Sequence, residues 1–411
     1  MSITEAELLS NARAMSEKLA PAGYRYVVMD AGWFNPEPEL ASKTETPNVV
    51  LDAYGRLVPV PARFPSCAGG VGLRQVARQI HDLGLKLGIH MMRGIPRAAV
   101  EQNTPIHGTE LRARDIANLD DRCQWNQEMY GVAVGKPGGQ EYYDSVARLL
   151  CEWEIDFVKG DDLAAPYHAA EIAAFSRALR RSGREILFSL SPGGVTPGES
   201  VEHARTRCEM QRSSKDLWDV WVDDEPGFTS LKLQFDVARQ WQGQSAPGYW
   251  PDLDMLPIGQ LSLRGPRGPK RVSQLTRDEQ ITMLGLWAMF GSPLMIGGEL
   301  SSLSEDAVRL LTNRWLLQIN QTGRQGRELW RRGDQIAWRS ELPNGTVALG
   351  LFNLADAPER LSLEAPELQS GRVLDVWHNE PLPVMRGLLE ADVPAHGSRL
   401  FVVSATGAAA P

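Results

Sequence analysis

At 411 residues the chain is longer than one ordinary domain: a β/α barrel takes about 250, and the remainder suits a second, smaller one. Hydrophobic residues at 43% and charged residues at 23% are in the range of soluble globular proteins, and a net charge of −8 argues against nucleic acid or an anionic membrane as a partner. No apolar run approaches the ~18 residues of a membrane-spanning helix. The cysteines (Cys67, Cys123, Cys151, Cys208) form no CxxC pair and read as ordinary thiols, with Cys123–Cys151 the bridge to consider.

The chain opens on a helix. Thr4 and Glu7 have the spacing of a capping box, and Leu8, Ala12, Met15 and Leu19 line one face. Short strands are then predicted at Tyr24–Trp33, Lys86–Met92, Asp156–Asp161, Glu185–Ser191, Arg207–Ser213, Tyr249–Leu256 and Ser292–Ile296. Between them lie helical stretches with a 3.6 period, such as Leu73, Val76, Ile80, Leu83 and Val146, Leu149, Leu150, Trp153. Alternation of strand and helix predicts a parallel sheet, and this many repeats a closed (β/α)8 TIM-type barrel. Seven strands are visible where eight are wanted. The first strand is therefore expected upstream of Met1, or the barrel is open there. No secretion signal is visible, which gives a cytoplasmic expectation at face value and a periplasmic or secreted one if the true start lies upstream.

Residues 35–70 and 93–140 interrupt this rhythm after the first two visible strands, on the face where barrel enzymes build their sites. The second segment carries Arg93, Trp125, Asn126 and Tyr130, a polar and aromatic mix suited to a sugar. From about residue 326 the pattern changes to alternation (Ile336, Trp338; Val347, Leu349, Leu351) with an Asn344-Gly345 turn, which predicts a small antiparallel β-sandwich. The expected organisation is a barrel over 1–322, a sandwich over 323–405 and a disordered tail over 406–411.

The chemistry is concentrated in two segments. In Asp156–Asp162, strand alternation puts Phe157, Lys159 and Asp161 on one face. A lysine two residues before an aspartate holds it ionised, as a glycosidase nucleophile must be. In Arg212–Asp216, the terminal Asp216 lies past a strand end and offers the second carboxyl, a proton donor. Of seven histidines only His90 falls at a strand end and no HxH or HExxH occurs, so neither a metal nor a cofactor is expected. His90 is equally a ligand contact or a core histidine. Arg93 needs an acceptor if buried, so it anchors either a sugar or a loop.

These motifs resemble those of glycoside hydrolase family 27, in clan D, the retaining α-galactosidases and α-N-acetylgalactosaminidases. Tyr24–Trp33 resembles the family's first sugar-binding strand, Asp156–Asp161 its nucleophile strand ending Lys-x-Asp, and Arg212–Asp216 its acid/base segment. Trp250-Pro251-Asp252-Leu253-Asp254-Met255-Leu256 is similar to its Trp-x-Asp-x-Asp-Met-Leu signature, and the helix and strand after Leu275 to those that close its barrel. The resemblance implies that Asp161 is the nucleophile and Asp216 the acid/base. It implies that Asp30, Lys159 and Arg212 hold sugar hydroxyls, with Trp33, His90, Arg93, Trp125, Ser191 and Asp254 further substrate contacts, Asp254 equally a brace. The implied partner is an α-galactoside or α-N-acetylgalactosaminide. Three features depart from the family pattern, the first being the absent opening strand, which in the family supplies a tryptophan to the pocket. The family's second aspartate is Ala31, which removes one hydroxyl contact, and the loop Ser189–Gly194 carries small residues that leave room for a 2-acetamido group. The alternative to turnover is a degenerate sugar-binding barrel.

Overall fold

The structure is a computed structural model. It describes residues 2–38, 48–194, 197–198, 200–222, 225, 227–265, 267–322, 324–382 and 387–404. The expected tail, 406–411, lies outside these. Two compact units make up the chain: Met1–Gly193 with Gly198–Arg212 and Ser262–Pro269, and Gly194–Pro197 with Ser213–Leu261 and Lys270–Pro411.

In the first unit, strands β1 (Tyr26–Met29), β2 (Lys86–Met92), β3 (Phe157–Asp161), β4 (Leu187–Leu190) and β5 (Met210–Arg212) lie side by side in chain order, all parallel. Helices α1 (Glu5–Lys18), α2 (Arg74–Asp82), α3 (Gly139–Glu152) and α4 (Ala169–Arg181) alternate with them. Strands covered on both faces must be apolar throughout, and β2 is buried at every position after Lys86. The predicted cap of α1 forms: Thr4 Oγ1 accepts from Glu7 N, and Glu7 Oε2 accepts from Thr4 N at 2.9 Å. The first predicted strand is shorter than expected. It ends at Met29, and Ala31–Phe34 form a turn in which Gly32 takes φ +88°.

The second unit continues the strand–helix succession with β6 (Asp216–Leu217) parallel to β7 (Phe228–Thr229), α5 (Leu231–Trp241), β8 (Trp250–Asp252) and α6 (Arg277–Phe290). The strand expected at Ser292–Ile296 is reduced to one parallel bridge, Leu256 to Ile296. Pro293 has no N–H to offer a ladder. Helix α6 is buried from Thr282 to Phe290 on all sides, as its unbroken apolar sequence requires.

The same unit holds the predicted sandwich. One antiparallel sheet contains β9 (Arg327–Arg332), β10 (Gln335–Glu341), β11 (Val347–Asn353), β13 (Arg372–Asp375), β14 (Glu380–Leu382) and β16 (Ser398–Ser404). A separate antiparallel pair is β12 (Glu359–Glu364) with β15 (Leu388–Val393). Leu349, Leu351, Leu361, Leu363, Leu389, Val393 and Phe401 fill the core that both contribute to. Helix α6 packs on this domain: a Cβ at Gly285 would lie 2.9 Å from Leu400 Cδ1, and Thr282 Oγ1 donates to the His396 carbonyl at 2.9 Å.

Candidate active site

Strands β2 and β3 pair so that His90 lies opposite Lys159 and Met92 opposite Asp161. Side chains two apart share a face, so His90, Lys159 and Asp161 converge. The other face of β3 carries Gly160, where a Cβ would lie 2.7 Å from both Leu163 and Phe188. Asp161 Oδ1 accepts from the Asp162 amide at 2.8 Å, and Oδ2 lies 3.0 Å from His90 Nε2. An ionised carboxylate can only accept, so the proton of that pair sits on Nε2. Burial would raise the Asp161 carboxyl; the His90 hydrogen bond and charge, Lys159 and the Asp162 amide together hold it below its ordinary value. Lys159 Nζ reaches Asp30 Oδ2 at 3.0 Å, at the end of β1. Surrounding protein would raise Asp30 as well, and Lys159 and His90 reverse this and hold it low. Two ionised carboxylates thus flank one ammonium, with Asp161 15% and Asp30 63% exposed, open to a polyhydroxylated ligand.

Behind the pair lies a buried network that the sequence did not reveal. Arg93 donates from Nε to Asp162 Oδ2 at 2.9 Å, from Nη1 and Nη2 to Asp121 at 2.9 Å each, and from Nη1 to Glu171 Oε1 at 2.6 Å. Its amide also donates to the Asp161 carbonyl. Burial opposes the guanidinium's charge, but these carboxylates outweigh it and keep Arg93 protonated. Asp162 takes φ +58°, a left-handed conformation, and its amide donates to Asp161 Oδ1. Arg93, 3% exposed, therefore anchors the 93–140 segment and Asp162, the loop-anchoring one of its two expected roles. Asp121, His168 and Glu171 place potential ligand atoms within 4.8 Å of one another, the geometry of a metal site. Arg93 already supplies a cation to two of them. Arg93→Met should cost about 3–5 kcal/mol, the scale for stranding buried carboxylates. Urea denaturation should show the deficit widening from pH 5 to pH 8, because the stranded groups are ionised at the higher pH.

Glu128 joins the two long segments. Buried at 2% exposure, it accepts from Asn35 Nδ2 at 2.8 Å and from the Asn48 amide at 3.2 Å, and burial pushes its carboxyl up to about 7. Cys123, a free thiol like the other three, contacts Asp162, and burial pushes it up to about 12. No Cys123–Cys151 bridge forms. The amides of Trp125 and Asn126 face the Cys123 sulfur, so the exposed Trp125 ring is carried on a segment tied to Asp162.

In the second unit Asp216 is exposed at the start of β6. The following amide, Leu217 N, donates to Asp254 Oδ2 at 2.7 Å, and the Asp254 amide donates to Asp252 Oδ1 at 2.8 Å. Trp287 Nε1 on α6 donates to the Asp254 carbonyl at 3.0 Å. Asp254 thus braces the segment that carries Asp216. Arg212, expected on sugar, is buried at the end of β5.

Three other residues expected at the sugar are buried. Trp33 is fully buried, and its indole N–H donates to the His90 carbonyl at 2.8 Å. His90 is itself fully buried, its ring turned to Asp161. Ser191 is 2% exposed, with its amide on the Gly160 carbonyl. An ionised aspartate at a strand end, held on both oxygens beside a lysine–aspartate pair, has the chemistry that a glycosidase nucleophile needs.

Comparison with known proteins narrows this class. Residues 126–322 match the family model described as alpha galactosidase A, and residues 332–403 the model of the alpha galactosidase C-terminal β-sandwich domain. The solved β-L-arabinopyranosidase of glycoside hydrolase family 27 from Geobacillus stearothermophilus is 38% identical, with a TM-score of 0.92 over 100% of this chain and 94% of that one. Human alpha-galactosidase A is 28% identical over 91% of this chain and 74% of its own length, and the alpha-N-acetylgalactosaminidase of Gallus gallus 27% identical over 84% and 71%. The chain belongs to glycoside hydrolase family 27, a family of retaining glycosidases built as a β/α barrel followed by an antiparallel β-sandwich.

Proposed function

We propose that the protein removes terminal pyranosides of α-galactose configuration by double displacement, with Asp161 as nucleophile and Asp216 as acid/base, and that its preferred glycone lacks the C6 hydroxymethyl group. The observation that carries the first part is the Asp161 carboxylate, ionised and gripped at both oxygens beside Lys159 and Asp30. In the first step an Asp161 oxygen bonds to the anomeric carbon as the glycosidic C–O bond breaks, and Asp216 gives its proton to the departing oxygen. In the second, Asp216 takes a proton from water, whose oxygen displaces Asp161 from the sugar. Lys159 and Asp30 suit vicinal hydroxyls, which both donate and accept.

The glycone preference rests on Ala31. Where the family motif has two adjacent aspartates, this chain has Asp30 followed by a partly open alanine whose amide donates to Asp30 Oδ1 at 2.7 Å. β-L-Arabinopyranose has the ring stereochemistry of α-D-galactopyranose without C6, so it needs no partner there. The Geobacillus stearothermophilus relative is a β-L-arabinopyranosidase. α-D-Galactosides and their 2-acetamido analogues are the second reading, favoured by the family model's description and by an alanine that leaves space rather than filling it.

A hydrogen bond to a charged group contributes about 1.5–3 kcal/mol, or roughly one to two powers of ten in kcat/KM. With no partner at Ala31, the desolvated C6 hydroxyl of a galactoside goes unpaired, so the wild-type protein should favour a nitrophenyl β-L-arabinopyranoside over the matching α-D-galactoside by about 10-fold. Ala31→Asp should raise the galactoside value and leave the arabinoside value nearly unchanged. A wild-type preference for the galactoside would overturn the assignment of the glycone and leave the catalytic roles standing.

A further inference from the structure

We propose that His90 is a positioning residue for the nucleophile: its Nε2–H fixes Asp161 Oδ2 while the Asp162 amide fixes Oδ1, so the carboxylate meets the anomeric carbon in one orientation. The inference rests on Asp161 being the nucleophile.

Burying an imidazole costs free energy unless its polar atoms are used. His90 is wholly inside the protein, and its Nδ1 has no protein partner among the described residues. The ring's one hydrogen bond is the 3.0 Å contact with Asp161. Its backbone is fixed too: the ladder sets it opposite Lys159, and Trp33 Nε1 holds its carbonyl at 2.8 Å. A rigid donor is therefore delivered across the sheet, two residues out of register, to the group that reacts. Both carboxylate oxygens receive a donor, so rotation about the Cβ–Cγ bond would break two hydrogen bonds.

The other groups facing Asp161 differ in kind. Lys159 on the same strand acts through its charge, and Asp30 from the end of β1 occupies that lysine. Arg93 from the end of β2 binds the Asp161 carbonyl and the Asp162 carboxylate, not the Asp161 carboxylate. Strand β4 offers Ser189 and Leu190 alongside, neither of which titrates in the working range. Among the described residues, His90 is thus the side chain that donates directly to the nucleophile's carboxylate.

The test compares His90→Phe, His90→Asn and His90→Gln in the full chain, reading kcat/KM against pH with a nitrophenyl glycoside and folding by thermal melt. The acid limb of kcat/KM reports the nucleophile's ionisation in the free enzyme. Loss of the donor should move that limb upward by about one pH unit in His90→Phe. The plateau should fall by roughly one to two powers of ten as the carboxylate loses its fixed orientation. A glutamine amide reaches the depth of Nε2 and should return the limb toward its wild-type position. An asparagine amide stops at the depth of Nδ1 and should behave like phenylalanine. A limb that stays put in His90→Phe and His90→Asn, or one that glutamine fails to restore, overturns the proposal. If His90→Phe does not fold, the contrast between asparagine and glutamine decides it alone. Azide rescue of Asp161→Gly separates the two levels: rescue with an unmoved limb removes only the role of His90, and no rescue removes the nucleophile assignment beneath it.

Discussion

Asp161→Gly is expected to lose turnover of activated aryl glycosides by on the order of 10⁴-fold, and added azide to restore a large part of it. Removing a residue at the reacting centre acts on that scale, and the residual rate comes from binding and leaving-group activation. Glycine leaves a space beside β3 that a small anion can enter, and attack from the nucleophile's own side gives a glycosyl azide with inverted anomeric configuration. Product analysis by NMR checks both the rescue and the stereochemistry. Retention of more than a few per cent of the wild-type rate without azide would mean that another group attacks. The melting temperature should fall modestly, because the buried His90 ring loses its hydrogen bond to Asp161, while the Asp162 carboxylate remains on Arg93 and the His90 carbonyl on Trp33.

The second large effect is expected at Asp216, and it should depend on the substrate. A general acid contributes about 10²–10⁴-fold when the departing oxygen needs a proton and little when it does not. Asp216→Ala should therefore cut hydrolysis of an alkyl glycoside or disaccharide by that factor. Formation of the glycosyl-enzyme from a dinitrophenyl glycoside should be nearly unaffected, visible as a burst followed by slow turnover. Equal damage to both substrates would place the acid elsewhere. Asp254→Ala should give a weaker form of the same selectivity, since it frees the Leu217 amide rather than removing the acid.

Legibility in the sequence followed the range of the interactions involved. Strands β2 and β3 could be read because a doubly covered parallel strand is a continuous apolar run, and Asp161 because Lys-x-Asp at its end is a local pattern. Trp33 misled because its strand stops at Met29 and the chain turns it into the core. The partners of Arg93 lie 28, 69 and 78 residues away, and only the packing of three segments brings them together. The His90–Asp161 contact spans 71 residues and depends on the register between two strands. A shift by one residue would move His90 to the opposite face, and nothing in either segment alone fixes that register.

Helix α6 has an implication for how far this enzyme can be shortened. Its Trp287 holds the Asp254 carbonyl, Asp254 holds the amide next to Asp216, and its Thr282 and Gly285 lie against His396, Phe352 and Leu400 in the sandwich. The C-terminal strands are therefore not a detachable appendage. A truncation at residue 322 would strip one wall from the helix that steadies the segment carrying Asp216 and expose an apolar face to aggregation. Engineering for smaller size or greater heat resistance has to treat the sandwich as part of the catalytic machinery's scaffold, and cavity-filling or loop-tightening changes in those strands should extend the enzyme's working life at temperature without any change near the sugar.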